Sequence, residues 1–529
     1  MADNTTWLRG NRALIPAFRS MLGCGDLPWD HYAATMAEVD VAAGTTGNAS
    51  KSFSIRKAPF GGAYALLGGL SQALQQFEDH RFTPQVLEQL EYLGIGKQAC
   101  DYFADGERLR LKIWALPEGT PFFPHEPAVV VYGPLPHVRL AEGIAGQATN
   151  FGSLSLTKWH RLVRASRPGG VLEFSRRRAQ THLLASVYAA CAGATATSNG
   201  EVLRYLDIPV KGTHGHEGPQ SRGNPRVWFD DMLRARPQLS IGLVDTVNCM
   251  EVDFPAWLDA VYENREAVKR EAAVWGWRND SGALASLYLR QVEVFMQHSL
   301  AQDPWFVRQF RAVLGGGLDE YKIADLITEV YTMAREEGDV AGFSADELVR
   351  RVIWAVGDSG GSATDQSVLG GVMKLGEVDG AASRKLALDD EGNLSSKASL
   401  AGLNLSANVF DEVGEHQGVI IYPFDEPPIS GQDMVMCATR NPAKRTLVEQ
   451  ATVTPKHQLV FDSIHGDGLT EDGRAPTIDT VRAAIEGGTR VLRRGALKMG
   501  DAVPPRVSVT ERLFALNKRM AEEWKILDS

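Results

Sequence analysis

The stretch VWGWRNDSGAL, residues 274–284, decides how the chain is read. An apolar run with two tryptophans stops at Arg278, Asn279 and Asp280, and Ser281 and Gly282 follow. A strand-like segment that is buried along its length and charged at its tip carries a cation and an anion to a cavity.

The pattern recurs. Between residues 151 and 380 short apolar runs end in polar or glycine-rich tips: VLEFSRRR, ATATSN, IPVKGTHGH, IGLVDT, AVLGGGLDE and VIWAVGDSGG. From Thr213 the tips at Asp245, Asp280, Gly316 and Gly357 follow at steps of 32, 35, 36 and 41 residues. One β-α unit takes about 30 residues or more. Helices fit between the tips: LDEYKIADLITEVYTMAREEG puts Ile323, Leu326, Ile327 and Val330 on one face. Repeated β-α units with chemistry at each strand's C-terminal end predict an α/β barrel, irregular in its spacing. An open doubly wound sheet is the competing fold. The number of polar tips favours closure, because a barrel turns all of them into one mouth.

The flanks read differently. Residues 1–150 mix a helical pattern (FGGAYALLGGLSQALQQFEDH) with the alternating RLRLKIW and a proline-punctuated, strand-rich stretch, which predicts an α+β domain with an antiparallel sheet. Residues 381–529 predict a C-terminal α+β region packing back on it. GVIIYPF and DMVMCA read as strands, PTIDTVRAAIEGGTRVLRRG and TERLFALNKRMAEEWK as helices, and NLSSKASLAGLN as a loop.

Composition narrows the function. A net charge of −10 argues against a basic face for nucleic acid. No apolar stretch reaches the roughly 18 residues of a membrane span, and the first residues lack a signal core. The five cysteines, Cys24, Cys100, Cys191, Cys249 and Cys437, are scattered with no C-x-x-C pair. That argues against a zinc cluster and fits a reducing cytoplasm.

Each tip residue has a bland and a chemical reading. Asp245 and Asp280 either cap helices or face one mouth, where paired carboxylates hold Mg²⁺ or sugar hydroxyls. The glycines of LGGGLDE and GDSGGSATD either make turns or cradle phosphate with backbone N–H groups. Arg176, Arg177 and Arg178 after Phe174 form a solvated face or grip an anion. His214 and His216 with Glu217 lack a complementary cluster for metal, so an acid, base or nucleophile role for one histidine is preferred.

In order, these motifs resemble the nicotinate phosphoribosyltransferase family, which includes the nicotinamide enzymes and has the type II phosphoribosyltransferase fold. The resemblance runs with gaps from about residue 27 to the C-terminus, through LPWDHYAATM, FSIRKAPFGGAYALLGGL, LPEGTPFFPHEPAVVVYGPL, LEFSRRRAQ, TSN, IPVKGTHGH, LVDT, RNDSG, GLDE and VMKLGEVDG. It implies transfer of a phosphoribosyl group from 5-phosphoribosyl-1-pyrophosphate to nicotinate, yielding a precursor of NAD. It further implies Mg²⁺, ATP as co-substrate through a phosphohistidine, and a homodimer with shared active sites. By motif position Phe174 and Tyr32 sandwich the base, Tyr32 coming from the partner subunit. Arg177 and Arg278 bind its carboxylate or the pyrophosphate. Asp245 and Asp280 hold ribose hydroxyls and Mg²⁺. Gly315, Gly316, Gly357 and Gly361 shape the phosphate loops. His216 is the phosphorylated histidine, with His214 its rival in the motif. Ser198 favours nicotinate, because the nicotinamide relatives have an Asp there that would repel a carboxylate.

The sequence departs from the family pattern at Ser175 (usually glycine), Glu217 (commonly serine), Asn279 (usually apolar) and Ala283. Glu217 bears on ATP coupling and on the choice of base. Three alternatives stand beside nicotinate transfer: another pyridine base, a non-catalytic nucleotide-binding homologue, and a barrel hydrolase using Asp245 and Asp280.

Overall fold

The structure is a computed structural model that describes residues 13–23, 27–336, 338–363, 366, 368–386, 398–438 and 444–527. Cys24 and part of the loop reading over 393–397 lie outside these residues. The chain divides into two units, and the boundary falls within the 31-residue helix Leu135–Ala165. Of the described residues, one unit takes those within 158–204 and 208–363, and the other those within 13–157, 205–207 and 366–527.

In the first unit six parallel strands follow one another around a ring: β1 (Gly170–Glu173), β2 (Ala196–Thr197), β3 (Ile241–Leu243), β4 (Trp275–Asn279), β5 (Phe310–Leu314) and β6 (Val352–Val356). Each of β3 to β6 pairs with the next, and β6 closes on β1, with Trp354 opposite Val171. β1 pairs onward with β2, and Thr197 makes a further parallel bridge to Val210. The ring stays open at one seam, between β2 with its Val210 bridge and β3. Last-on-first pairing excludes a doubly wound sheet and gives the irregular barrel that the repeat predicts.

Alternation along each strand sorts the side chains. Leu172, Ala196, Val313 and Ala355 form one buried cluster on the inner face, with Phe174, Ile241 and Ile353 against it. On β4 the tryptophans take the other face. Trp275 packs edge-on to Phe295 and Phe306 at 5.0 and 5.3 Å, and Trp277 stacks on Phe310 at 5.5 Å. The Trp275 indole N–H donates to the Phe306 carbonyl at 2.7 Å, so this ring is buried with its polar edge satisfied. Gly276 and Arg278 therefore share the inner face, which explains the Trp-Gly-Trp-Arg alternation. The helix Leu284–Gln297 covers the tryptophans with Phe295. In the helix Glu320–Glu336, Ile323 and Val330 are buried and Leu326 and Ile327 half-buried, and Asp319 caps its start by accepting from Tyr321 N and Lys322 N.

The second unit contains a seven-stranded antiparallel sheet. It takes Asn48–Ser54, Lys112–Ala115 and Val129–Pro134 from the N-terminal part, and Val372–Val378, Ala381–Ala382, Gln458–Asp462 and Gly468–Leu469 from beyond the barrel. A closed five-stranded barrel follows, including His416–Pro423 and Gln432–Ala438 where the sequence predicts strands. The helices Ile478–Arg490 and Glu511–Leu527 also form as expected. One expectation needs correcting. The helical pattern from Phe60 to His80 yields a helix only at Leu70–Asp79, preceded by a 3₁₀ turn at Pro59–Gly61 and the strand Ala65–Leu66. Gly69 sits at φ +83°, and a Cβ there would lie 2.0 Å from the Ala148 carbonyl oxygen. That contact and the left-handed backbone stop the helix from extending toward its N-terminus. No helix among the described residues is long and apolar enough to cross a membrane.

Candidate active site

The charged end of β4 meets the ends of β3 and β1 at one rim of the barrel. Asp245, two residues past β3, has a side chain only 5% exposed. Its Oδ2 accepts from the Asp280 backbone N–H at 2.8 Å and from the Ser281 hydroxyl at 2.7 Å, so one carboxylate fixes the turn that carries the other. Its Oδ1 is buried and has no hydrogen-bond partner. His216 Nε2 lies 3.9 Å from that oxygen, and His216 Nδ1 lies 3.1 Å from the Thr246 hydroxyl. In the tautomer that donates from Nδ1 to Thr246, the Nε2 lone pair faces Asp245; in the other, Nε2–H faces that carboxylate.

Arg278 reaches across the mouth. Its Nη2 donates to both oxygens of Asp280 at 2.9 Å, and its Nη1 donates to the Thr213 hydroxyl at 2.9 Å. Its guanidinium carbon sits 5.3 Å from the Phe174 ring centroid, a cation–π contact on one ring face. Its Nε is buried and unpartnered. Behind this charged layer Asn279 and Gln291 exchange amide hydrogen bonds at 2.7 and 3.1 Å, and the Cys249 thiol donates to Asn279 Oδ1 at 3.4 Å. Burial, with Asp245 nearby, pushes that thiol up to about 12, so it stays protonated.

Two glycines make room for Asp280. A Cβ on Gly315 would meet its Oδ1 at 2.3 Å, and one on Gly316 its carbonyl oxygen at 2.1 Å, while Gly316 also takes φ +92°. Gly361 closes on Ser175, whose Cβ would lie 2.3 Å from a Cβ there. Gly357 precedes the five-residue helix Asp358–Ser362.

The two histidines of GTHGH separate. His214 is buried, its Nε2 accepting from Leu243 N–H at 2.8 Å and its Nδ1 near the Gly215 carbonyl at 3.2 Å. Burial pulls its pKa down to about 4, so it is a neutral structural link. His216 is 40% exposed at the rim. Glu217 is exposed and begins the helix Glu217–Arg222.

Other predicted residues lie farther from this cluster or in the other unit. Arg176 pairs with Glu201 at 3.1 Å and Arg178 with Asp358; Arg177 is exposed and pairs with no carboxylate among the described residues. Ser198 is exposed past β2, its N–H on the Glu173 carbonyl at 2.8 Å. It does not cap the next helical turn; Asn199 Oδ1 accepts from Glu201 N instead. Tyr32 is 47% exposed on the helix His31–Ala42 of the second unit. Sequence reasoning missed Thr213, Thr246 and Ser281, hydroxyls too common to stand out, and the buried Glu173, whose signal was a carboxylate closing an apolar run.

No group of three or more His, Cys, Asp or Glu side chains suited to a metal occurs among the described residues. The orphaned Asp245 Oδ1 fits a cation that draws its other ligands from a substrate and water. Asp280 fits less well, since both its oxygens face Arg278.

Fold and rim together define an α/β-barrel protein with a compact polar site at the C-terminal ends of its strands. Residues 27–144 match the N-terminal domain of nicotinate phosphoribosyltransferase (NAPRTase). The chain is 31% identical over 311 residues to the nicotinate phosphoribosyltransferase pncB2 of Mycobacterium tuberculosis, covering 57% of this chain and 63% of that protein. The chain thus spans under two thirds of that relative's length. It is 25% identical over 543 residues to the nicotinate phosphoribosyltransferase of Caenorhabditis elegans, covering 92% of this chain and 91% of that one. The crystal structure of human nicotinic acid phosphoribosyltransferase matches its fold with a TM-score of 0.74 at 23% identity, over 92% of this chain and 98% of that one. The chain is thus similar to nicotinate phosphoribosyltransferases along most of its length and matches their N-terminal domain at residues 27–144.

Proposed function

We propose that the protein transfers the phosphoribosyl group of 5-phosphoribosyl-1-pyrophosphate to nicotinate, releasing pyrophosphate and nicotinate mononucleotide for NAD synthesis. The observation that carries this reading is the meeting of Asp245, Arg278, Asp280 and His216 at one rim, linked by the 2.8 Å bond from Asp280 N–H to Asp245. The pyridine nitrogen lone pair forms the bond to the anomeric carbon. The carbon–oxygen bond to pyrophosphate breaks, and its electron pair leaves with pyrophosphate. Positive charge grows on the sugar as this happens, and two carboxylates fixed beforehand favour it.

Asp245 and Asp280 take the ribose hydroxyls. Arg278 turns its unpartnered Nε toward the leaving pyrophosphate or the base carboxylate, and the exposed Arg177 adds positive charge beside the site. Phe174, covered by Arg278 on one face, offers the other to the pyridine. Tyr32 of the partner subunit completes the sandwich in a homodimer, and Ser198 donates to the acid. The loops of Gly315, Gly316, Gly357 and Gly361 admit the phosphates. Asp245 Oδ1 would hold Mg²⁺, which when bound offsets the negative charge of pyrophosphate. His216 Nε2 accepts the γ-phosphoryl group of ATP: the N–P bond forms and the P–O bond to ADP breaks. Glu217 beside it opposes the triphosphate, so coupling to ATP is partial.

Turnover of phosphoribosyl pyrophosphate with nicotinate, and separately with nicotinamide, with and without ATP and Mg²⁺, tests the reading. Formation of nicotinate mononucleotide in preference to the amide product supports it. Absence of both products, with no calorimetric binding of the phosphoribosyl donor, refutes it.

A further inference from the structure

We propose that Glu173 is the positioning residue of the base subsite, one oxygen holding its aromatic floor and the other its polar edge. The assignment rests on the nicotinate reading above. Glu173 is fully buried at the end of β1 and faces away from the barrel interior, toward the helix His182–Ala192. Its Oε1 accepts from the backbone N–H of Ser175 at 2.5 Å and from the Ser175 hydroxyl. Its Oε2 accepts from the Ser186 hydroxyl at 3.0 Å and from the Thr197 hydroxyl. Among the described residues all its partners are neutral.

A buried carboxylate without a cation is costly unless several donors converge on it. Strand pairing does not require it, because backbone bonds already join β1 to β2, with Glu173 opposite Thr197. What the two oxygens do is divide between the two tips. The Oε1 branch clamps Ser175 and hence Phe174, which stands between Glu173 and Ser175 and donates its N–H to Val356 O at 2.7 Å. The Oε2 branch clamps Thr197, whose hydroxyl oxygen accepts from Asn199 N–H at 2.9 Å. Ser198 is thereby fixed on both sides, and its own N–H goes to the Glu173 carbonyl at 2.8 Å. Asn199 Nδ2 completes the clamp on Ser186 at 3.2 Å.

The branches have separable consequences. Stacking on Phe174 is indifferent to whether the pyridine bears an acid or an amide, whereas the edge at Ser198 is not. Ser175→Ala should raise KM for nicotinate and nicotinamide alike, about five- to tenfold, less than the full worth of a hydrogen bond to a charged acceptor because the Ser175 N–H stays on Oε1. Thr197→Val, of equal size, should cut the nicotinate-to-nicotinamide preference by a similar factor. KM for phosphoribosyl pyrophosphate should change less than twofold in both. Glu173→Gln, which keeps an acceptor in place, should retain most of the base affinity that Glu173→Ala loses. Proportional changes in KM for both bases and the donor, tracking a fall in melting temperature, would make Glu173 merely structural and overturn the proposal. A wild-type protein that neither binds nor converts either base would instead bring down the functional reading beneath it, and this assignment with it.

Discussion

Replacing Asp280 by Asn separates folding from chemistry. Asn has the same shape and seats over Gly315 and Gly316 as Asp280 does. It keeps an acceptor for Arg278 Nη2 but loses the second oxygen and the charge. A charge-assisted bond of about 1.5–3 kcal/mol becomes a neutral one of about 0.5–1.5. The net loss is about 1–2 kcal/mol, which in a chain of this size lowers the melting temperature by only a few degrees. The chemistry should suffer more. A unit charge about 4 Å from a developing cation is worth about 4 kcal/mol at an effective dielectric near 20. Losing it should lower kcat by about two to three orders of magnitude. The assay is initial-rate formation of nicotinate mononucleotide at saturating substrates, beside thermal unfolding of the same preparations. A kcat within threefold of wild type would remove Asp280 from the reacting centre. A melting temperature lowered by more than about 15 °C would show that its role is to hold the fold.

Gln291→Leu leaves the buried Asn279 amide without its reciprocal partner and should cost about 1–3 kcal/mol in chemical denaturation. The double change Asn279→Leu with Gln291→Leu should recover most of that, and a strictly additive cycle would refute the pairing. His216→Ala should abolish stimulation of turnover by ATP while leaving ATP-independent transfer measurable; stimulation that survives would exclude His216 as the phosphoryl acceptor. Burial depresses His137, His160 and His457 to about 3 and His214 and His416 to about 4. Each folded pKa lies below the unfolded one near 6.5, so the unfolded chain binds the protons. This stability is full above about pH 6.5 and falls by about 1 kcal/mol per histidine per pH unit toward pH 4. Denaturant midpoints unchanged between pH 7 and 5 would contradict it.

The barrel was legible because each β-α unit repeats a local signal: an apolar run, a polar tip, then a helical period. The Trp-Gly-Trp-Arg alternation agrees with the facing of β4, whose tryptophans pack on Phe295, Phe306 and Phe310 and leave Gly276 and Arg278 the other side. Asp245, Arg278, Asp280 and His216 stand at such tips, and the structure brings them together. What escaped reading depends on partners distant in sequence. The donors of Glu173 come from residues 175, 186 and 197, and Asn279 meets an amide twelve positions away. The pairing of Asn48–Ser54 with Val372–Val378 spans most of the chain and leaves no local trace. The overextended helix at Phe60–His80 failed because apolar spacing says nothing of a neighbouring backbone that admits only glycine.

At the seam between Val210 and β3, the imidazole of His214 receives the amide hydrogen of Leu243 where a carbonyl from another strand would ordinarily stand. Two residues beyond that imidazole, His216 rides on a stretch held by side-chain links, from Arg278 to Thr213, from Leu243 to His214 and between His216 and Thr246. If His216 accepts a phosphoryl group as proposed, these side chains set its reach, since residues 211–215 belong to no strand.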